Sequence, residues 1–270
     1  MIIAASFDIN NPESWINRAL SYGDGLFETM RCNRHGIPLL DFHLQRLAQG
    51  LKKLGLDAFD GSLIKPALDV HLATRQEAIV KLLVFRAQQK RTYQPLTNEI
   101  DWLITSEALS LKQNDQPLKI KCSEHKLSHQ PLLAGTKHLS RLEQVVLASE
   151  LNDHEGFDDL LIADVNNNVI ETTHQNIVMI KNNQLFTPKL NMAGVDGVAL
   201  QWLKSKHEII CQNIKLEDVG SYDCIMTCNS VRGFRLVGSI MKIEKQCISF
   251  VTKHAIHDKI TRQWDTLFNS

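Results

Sequence analysis

The sequence runs to 270 residues, with 30 Lys+Arg against 30 Asp+Glu and a formal net charge of +0, which excludes steering of nucleic acid or an anionic membrane by the chain as a whole. Any anionic partner has to be held locally. Hydrophobic residues at 43% and charged residues at 22% belong to an ordinary folded chain of one large or two modest domains, and exclude a disordered or fibrous one.

The first clear element starts at Asp41. The segment DFHLQRLAQGLKKLGL sets Leu44, Leu47, Ala48, Leu51 and Leu54 at helical intervals with Gln45, Gln49, Lys52 and Lys53 between them, which predicts an amphipathic helix ending near Gly55. IVKLLVFR (79–86) and DWLITS (101–106) read as strands, joined by the polar segment AQQKRTYQPLTNE. KQNDQP, polar and closed by Pro117, marks the boundary: an N-terminal α+β domain over 1–111, a linker over 112–118 and a larger C-terminal domain over 119–270. Beyond it DLLIADV (159–165), VIETT (169–173), NIVMIK (176–181) and QLFTP (184–188) predict consecutive hairpins, because the asparagines at 166–168 and 182–183 tolerate left-handed turns. A helix over Val198–Lys204 follows. FVTKHAIHDKITRQWDTLF, with Val251, Ala255, Ile256, Ile260 and Trp264 in helical phase, closes the chain against the second sheet.

Cys32, Cys122, Cys211, Cys224, Cys228 and Cys247 form neither a CxxC pair nor zinc-finger spacing, so reduced thiols and no metal are expected. The opening MIIAASFDINNPESW lacks the basic start and apolar run of a signal peptide, and no stretch approaches the ~18 apolar residues of a membrane span. A cytoplasmic protein with no membrane or nucleic-acid partner is the expectation.

Five segments carry residues able to do chemistry: YGDGLFETMR (22–31), HLQRL (43–47), GTKHLSRLEQV (135–145), VIETTHQNIV (169–178), and AGVDGVAL (193–200) with TCNSVRG (227–233). Singly, each has a plain explanation. His43 and Arg46, one turn apart, read as a solvated helix face; Lys137 as a helix-start lysine; Glu171 as an exposed carboxylate; Gly194 and Gly197 as turn formers; Thr29 as a structural strand residue.

Taken in order and at their spacing, these segments resemble the fold-type IV pyridoxal-phosphate family of branched-chain and D-amino acid aminotransferases and 4-amino-4-deoxychorismate lyase. The parts are the GDG-FET segment, the H-x-x-R-L helix, the lysine segment, an E-x-x-x-x-N pair beginning 34 residues after Lys137, and the glycine turn, spread over nearly the whole chain. Residues 137–144, KHLSRLEQ, are most similar to the lyase branch, usually worded K-H-L-N-R-L-E-Q. The resemblance implies a two-domain α+β fold of the D-amino acid aminotransferase type, with a small N-terminal α/β domain, a larger β-rich cofactor-binding domain and pyridoxal 5'-phosphate as cofactor. Lys137 would form the Schiff base, which needs its amine kept neutral by burial and by the cofactor. Glu171 would keep the pyridine nitrogen protonated, so that the ring draws electrons from the reacting carbon. Asn176 would either support the strand or touch the ring hydroxyl region. The phosphate would be held by Arg46, the N–H groups of Val198 and Ala199 at a helix start, and Asn229. Where relatives usually close the G-[IV]-x-R turn with arginine this chain has Leu200, so contacts of that side chain are not implied.

For the lyase branch the resemblance implies cleavage of 4-amino-4-deoxychorismate to 4-aminobenzoate and pyruvate. Lys137 would be the base at C4, and Lys137 or Thr29 would protonate the leaving enolpyruvyl group. Arg31, Arg86 and Arg91 are candidates for the two substrate carboxylates, because arginine pairs carboxylates bidentately. The loop RAQQKRTY resembles the family's RG-GGRGY loop in its arginines and tyrosine but lacks the glycines. A D-amino acid or branched-chain aminotransferase of the same fold and a cofactor-binding protein without turnover are the alternatives. Relatives are homodimers, so a homodimer is expected, and the cations are expected to gather at one cleft.

Overall fold

The computed structural model describes residues 1–72, 77–87, 92–110, 116–153 and 155–269. The chain divides into two compact units, one of Met1–Leu111 with Thr136–Ser140, the other of Lys112–Gly135 with Arg141–Ser270.

The first unit holds β1 (Ile2–Ala5), α1 (Arg18–Tyr22), β2 (Gly25–Cys32), α2 (Leu40–Leu54), α3 (Ile64–Leu72), β3 (Ala78–Arg86) and β4 (Ile100–Ala108). Its strands form an antiparallel sheet in the order β1-β4-β3-β2. Side chains alternate across a strand, and in β2 this buries Leu26, Glu28, Met30 and Cys32 while Phe27, Thr29 and Arg31 stay half-buried. Leu26 and Met30 share a core with Leu47 and Leu51 of α2 and with Leu82 and Ile104 of the neighbouring strands. The helix packs as its periodicity predicts. His43 and Arg46, however, are buried rather than solvated, because they lie on the same stripe as Leu47 and Leu51.

The second unit holds β5 (Leu118–Cys122), α4 (Leu142–Ser149), β6 (Asp159–Ala163), β7 (Val169–Thr172), β8 (Asn176–Lys181), β9 (Gln184–Pro188), α5 (Val198–Lys206), β10 (Ile209–Gln212), β11 (Cys224–Asn229), β12 (Gly233–Met241), β13 (Cys247–Ser249) and α6 (Ala255–Asn269). The sheet runs β10-β9-β8-β11-β12-β5-β6-β7, and β7 returns to pair with β8. The strands from β8 round to β7 therefore close on themselves, which removes the open edges that a sheet this size would otherwise expose. The closing seam is a single register pair, Glu171 opposite Asn176. Alternate residues of the ring, among them Ile120, Leu161, Val169, Ile177, Met179, Ile225 and Val237, form one buried cluster. Trp264 of α6 meets Trp202 of α5 edge-on at 5.1 Å and Phe234 of β12 at 5.4 Å between ring centroids, fixing both helices to the sheet.

The mixed α+β architecture and the β-rich second unit are those implied by the resemblance. Of the expected linker, 112–115 lie outside the described residues, and Leu118 already begins β5, pairing in parallel with β12. Residues 136–140 leave the second unit and pack in the first. The closing helix starts at Ala255, and Val251 precedes it at 50% exposure. Among the described residues, no helix is long and apolar enough to cross a membrane.

Candidate active site

In the first unit the segment carrying Lys137 lies along β2. Phe27 N–H donates to the Lys137 carbonyl at 3.0 Å and Leu139 N–H to the Gly25 carbonyl at 2.9 Å, with Leu26 opposite His138. This register gives Lys137 and Phe27 the same face, and Lys137 Nζ lies 4.3 Å from the centroid of the Phe27 ring. Thr29 and Arg31 follow on that face of β2. Lys81, directly across from Thr29 on β3, brings its Nζ to 5.0 Å from the same ring.

The opposite face of β2 is occupied by Glu28. Arg46 Nε donates to Glu28 Oε1 at 2.8 Å, a second guanidinium nitrogen of Arg46 reaches Oε2, and His43 Nδ1 is 2.6 Å from Oε2. All three side chains are buried. Burial alone would raise the Glu28 pKa, but the Arg46 charge and the hydrogen bonds from His43 and Arg46 outweigh it and hold the carboxyl at about 2. Burial depresses the His43 pKa, so the ring is neutral and donates from Nδ1, and its Nε2 has no hydrogen-bond partner among the described residues. The sequence reading gave Glu28 no role and took His43 as part of a solvated helix face. The legible signal was a carboxylate at an inward position of an alternating strand, facing a histidine and an arginine in phase with the apolar stripe of a helix.

The arginines expected to bind substrate separate. Arg86 is buried and committed on all three nitrogens: Nε to Asp24 at 2.9 Å, one terminal nitrogen to the Thr97 carbonyl at 2.7 Å and the other to the Leu54 carbonyl at 2.8 Å. It anchors the chain around residue 97. Arg31 pairs with Glu77 at 3.2 Å. Arg91 lies outside the described residues. Each described arginine expected to bind an anion also meets a carboxylate: Arg31 meets Glu77, Arg46 meets Glu28 and Arg86 meets Asp24.

The second unit brings Glu171 and Asn176 together on the backbone of one residue, Val195. Val195 N–H donates to Glu171 Oε2 at 2.9 Å, and the Val195 carbonyl accepts from Asn176 Nδ2 at 2.8 Å. The pair that closes the barrel thereby grips the AGVDG turn from both sides. The turn needs its glycines. Gly194 has φ +83°, and a Cβ there would lie 2.6 Å from Ile170 Cγ2. At Gly197 a Cβ would lie 1.9 Å from Asn176 Oδ1. Gly197 is also the N-cap of α5, which has no side-chain cap, so the N–H groups of Val198 and Ala199 open the helix as donors without one. Leu200, where relatives carry arginine, is fully buried. Asn229 Oδ1 accepts from Val231 N–H at 3.1 Å and Arg232 N–H at 2.8 Å, forming an Asx turn at the end of β11. Val195 was not singled out from the sequence, since its part is played by its backbone.

Each unit carries groups that fit pyridoxal phosphate: the first an amine on the segment paired along β2, the second a carboxylate held by a backbone N–H and a helix start whose close approach only glycine permits. A four-stranded unit joined to a closed barrel, with the amine on the first and the carboxylate on the barrel's closing pair, defines the fold-type IV class of enzyme. The chain belongs to the Amino-transferase class IV family, whose model matches residues 25–240. It is 29% identical over 239 residues, 85% of this chain and 88% of the relative, to an aminodeoxychorismate lyase of Vibrio harveyi. The crystal structure of 4-amino-4-deoxychorismate lyase from Pseudomonas aeruginosa superposes with a TM-score of 0.83 at 26% identity, covering 97% of this chain and 96% of that one. A branched-chain aminotransferase from Thermoproteus uzoniensis shares the fold, with a TM-score of 0.82 at 16% identity over 98% and 93% of the two chains.

Proposed function

We propose that the protein is a pyridoxal-phosphate lyase that converts 4-amino-4-deoxychorismate into 4-aminobenzoate and pyruvate. The observation that carries this reading is Lys137: it stands in the lyase-like segment KHLSRLEQ, pairs along β2 and holds its Nζ beside Phe27. Similarity to aminodeoxychorismate lyases across most of the chain supports it. On this reading Lys137 anchors the cofactor covalently, Glu171 keeps its ring nitrogen protonated, Asn176 steadies Glu171's strand, and Arg46, the Val198 and Ala199 N–H groups and Asn229 take its phosphate. The bound cofactor supplies an electron sink for the carbon from which the proton is lost.

The chain's own residues then move protons. The Lys137 amine removes the proton at substrate C4, and Lys137 or the Thr29 hydroxyl returns one to the enolpyruvyl group as the C–O bond breaks and the ring becomes aromatic. Arg31 pairs with a substrate carboxylate, exchanging it for Glu77. The protein acts in the cytosol, in keeping with six free cysteines, and as a homodimer by family resemblance.

A coupled pyruvate assay on wild type beside Lys137→Ala tests the function. Wild type should release pyruvate with no 2-keto acid present, and Lys137→Ala should lose about 10²- to 10⁴-fold or more, the range typical of one positioned acid or base. A requirement for a 2-keto acid would assign the protein to transamination; cofactor binding without either reaction would make it a binding protein.

A further inference from the structure

Glu171 and Asn176 meet in the register pair that joins β7 to β8, and each is also laddered on its outer side, Glu171 opposite Ile162 of β6 and Asn176 opposite Cys228 of β11. The turn of residues 173–175 between them lies outside those ladders and is held by side chains. Asp159, at the start of β6 and 0% exposed, accepts four hydrogen bonds: from its neighbour Leu160 N–H at 2.8 Å, from Thr173 N–H at 3.1 Å, from the Thr173 hydroxyl, and from Gln175 Nε2 at 3.0 Å. Thr173 and Gln175 lie in the turn between Glu171 and Asn176. Gln175 continues the chain of contacts, its Oε1 accepting from the Thr227 hydroxyl of β11 at 3.1 Å. The network thus ties the turn to β6 on one side and to β11 on the other, both inside the second unit.

We infer that Asp159 is a positioning residue: through Thr173 and Gln175 it sets the geometry of Glu171 and Asn176 at the barrel seam, and through their grip on Val195 it sets the glycine turn and the start of α5. This inference rests on the proposed cofactor reading. The polarity of the network is reversible. With Asn at 159, one oxygen still accepts from Thr173 while the new Nδ2 faces Gln175, whose carboxamide can turn over and donate to the Thr227 hydroxyl instead. With Ala at 159, the Thr173 and Gln175 donors are left buried without an acceptor.

The test is reconstitution of cofactor-free protein with pyridoxal phosphate, reading the dissociation constant by fluorescence and the visible absorption band, beside the urea midpoint of the cofactor-free protein. Asp159→Ala should weaken cofactor binding by roughly tenfold to a hundredfold, as loss of outer partners does at metal sites, and should shift or broaden the band. Asp159→Asn should recover most of the affinity. Thr227→Val, close to isosteric, should cost less alone but more on the Asp159→Asn background, where the turned-over Gln175 needs that hydroxyl; this non-additivity keeps the test informative should Asp159→Ala fail to fold. Variants that lose urea stability yet keep wild-type affinity and band would overturn the inference, as would additive effects of Asp159→Asn and Thr227→Val. A wild type that shows no band and binds no cofactor would sink the cofactor reading itself and this inference with it.

Discussion

In the first unit Glu28 is buried against the Arg46 guanidinium and a neutral His43; in the second, Asp159 is buried with a threonine N–H and hydroxyl, a glutamine amide and its neighbour's N–H as donors, and with the exposed His174 farther off at 3.6 Å. Both arrangements answer the cost of taking a carboxylate out of water, one by an opposite charge and one by preorganised dipoles. The difference decides how each responds to change. A charge pair fails abruptly when one partner is removed, because the other is left buried and uncompensated. A net of neutral donors can redistribute its hydrogen bonds, provided its members can rotate or turn over.

Glu28→Gln should give the larger effect. It removes the counter-charge from buried Arg46, and a urea denaturation should show a loss of about 3–5 kcal/mol, as for other broken buried pairs. The same variant should change the acid limb. The folded-state pKa of Glu28 is about 2, below its ordinary 4.5, so the stability it contributes is present above 4.5 and is lost as pH falls through about 2. Wild type and Glu28→Gln should therefore converge as pH falls across that window. Parallel stability curves would mean that Glu28 is not held as a charge.

A smaller effect is expected where the second unit depends on close approach. Gly197 has φ −71°, which alanine adopts without strain, so Gly197→Ala isolates the contact between a Cβ and Asn176 Oδ1. Displacing Asn176 should cost about 1–3 kcal/mol of stability, the usual range for overpacking, and loosen the start of α5. Stability unchanged within error would show that Asn176 moves aside freely. The smallest effect belongs to the exposed pair Lys65–Asp69 at 2.7 Å on α3. Lys65→Ala should change the urea-derived stability by less than about 0.5 kcal/mol, because both side chains are solvated and the pair is screened. A larger loss there would undercut the contrast between buried and surface charge.

The sequence by itself determined the local elements whose periodicity is unambiguous. α2 follows from the spacing of Leu44, Leu47, Leu51 and Leu54; β3 follows from its apolar run, and β6, β8 and β9 from apolar runs beside turn-forming asparagines; and the order of the lysine, glutamate and glycine segments determined the family. Only the tertiary structure decided what the buried polar residues do. His43 and Arg46 are polar residue types that read as a solvated face, although they lie in phase with Leu47 and Leu51, and it took the parity of β2 to turn Glu28 toward them. Arg86 and Arg46 look alike as residues, yet Arg86 ties the backbone carbonyls of Leu54 and Thr97 to Asp24, whereas Arg46 reaches across from a helix to Glu28. Residues 136–140 join the first unit although the chain around them belongs to the second, and Glu171 meets Asn176 because the barrel closes there. The reason is that periodicity is a property of neighbours along the chain. A hydrogen bond or a counter-charge is supplied by whichever strand or helix folding brings alongside, often a hundred residues away.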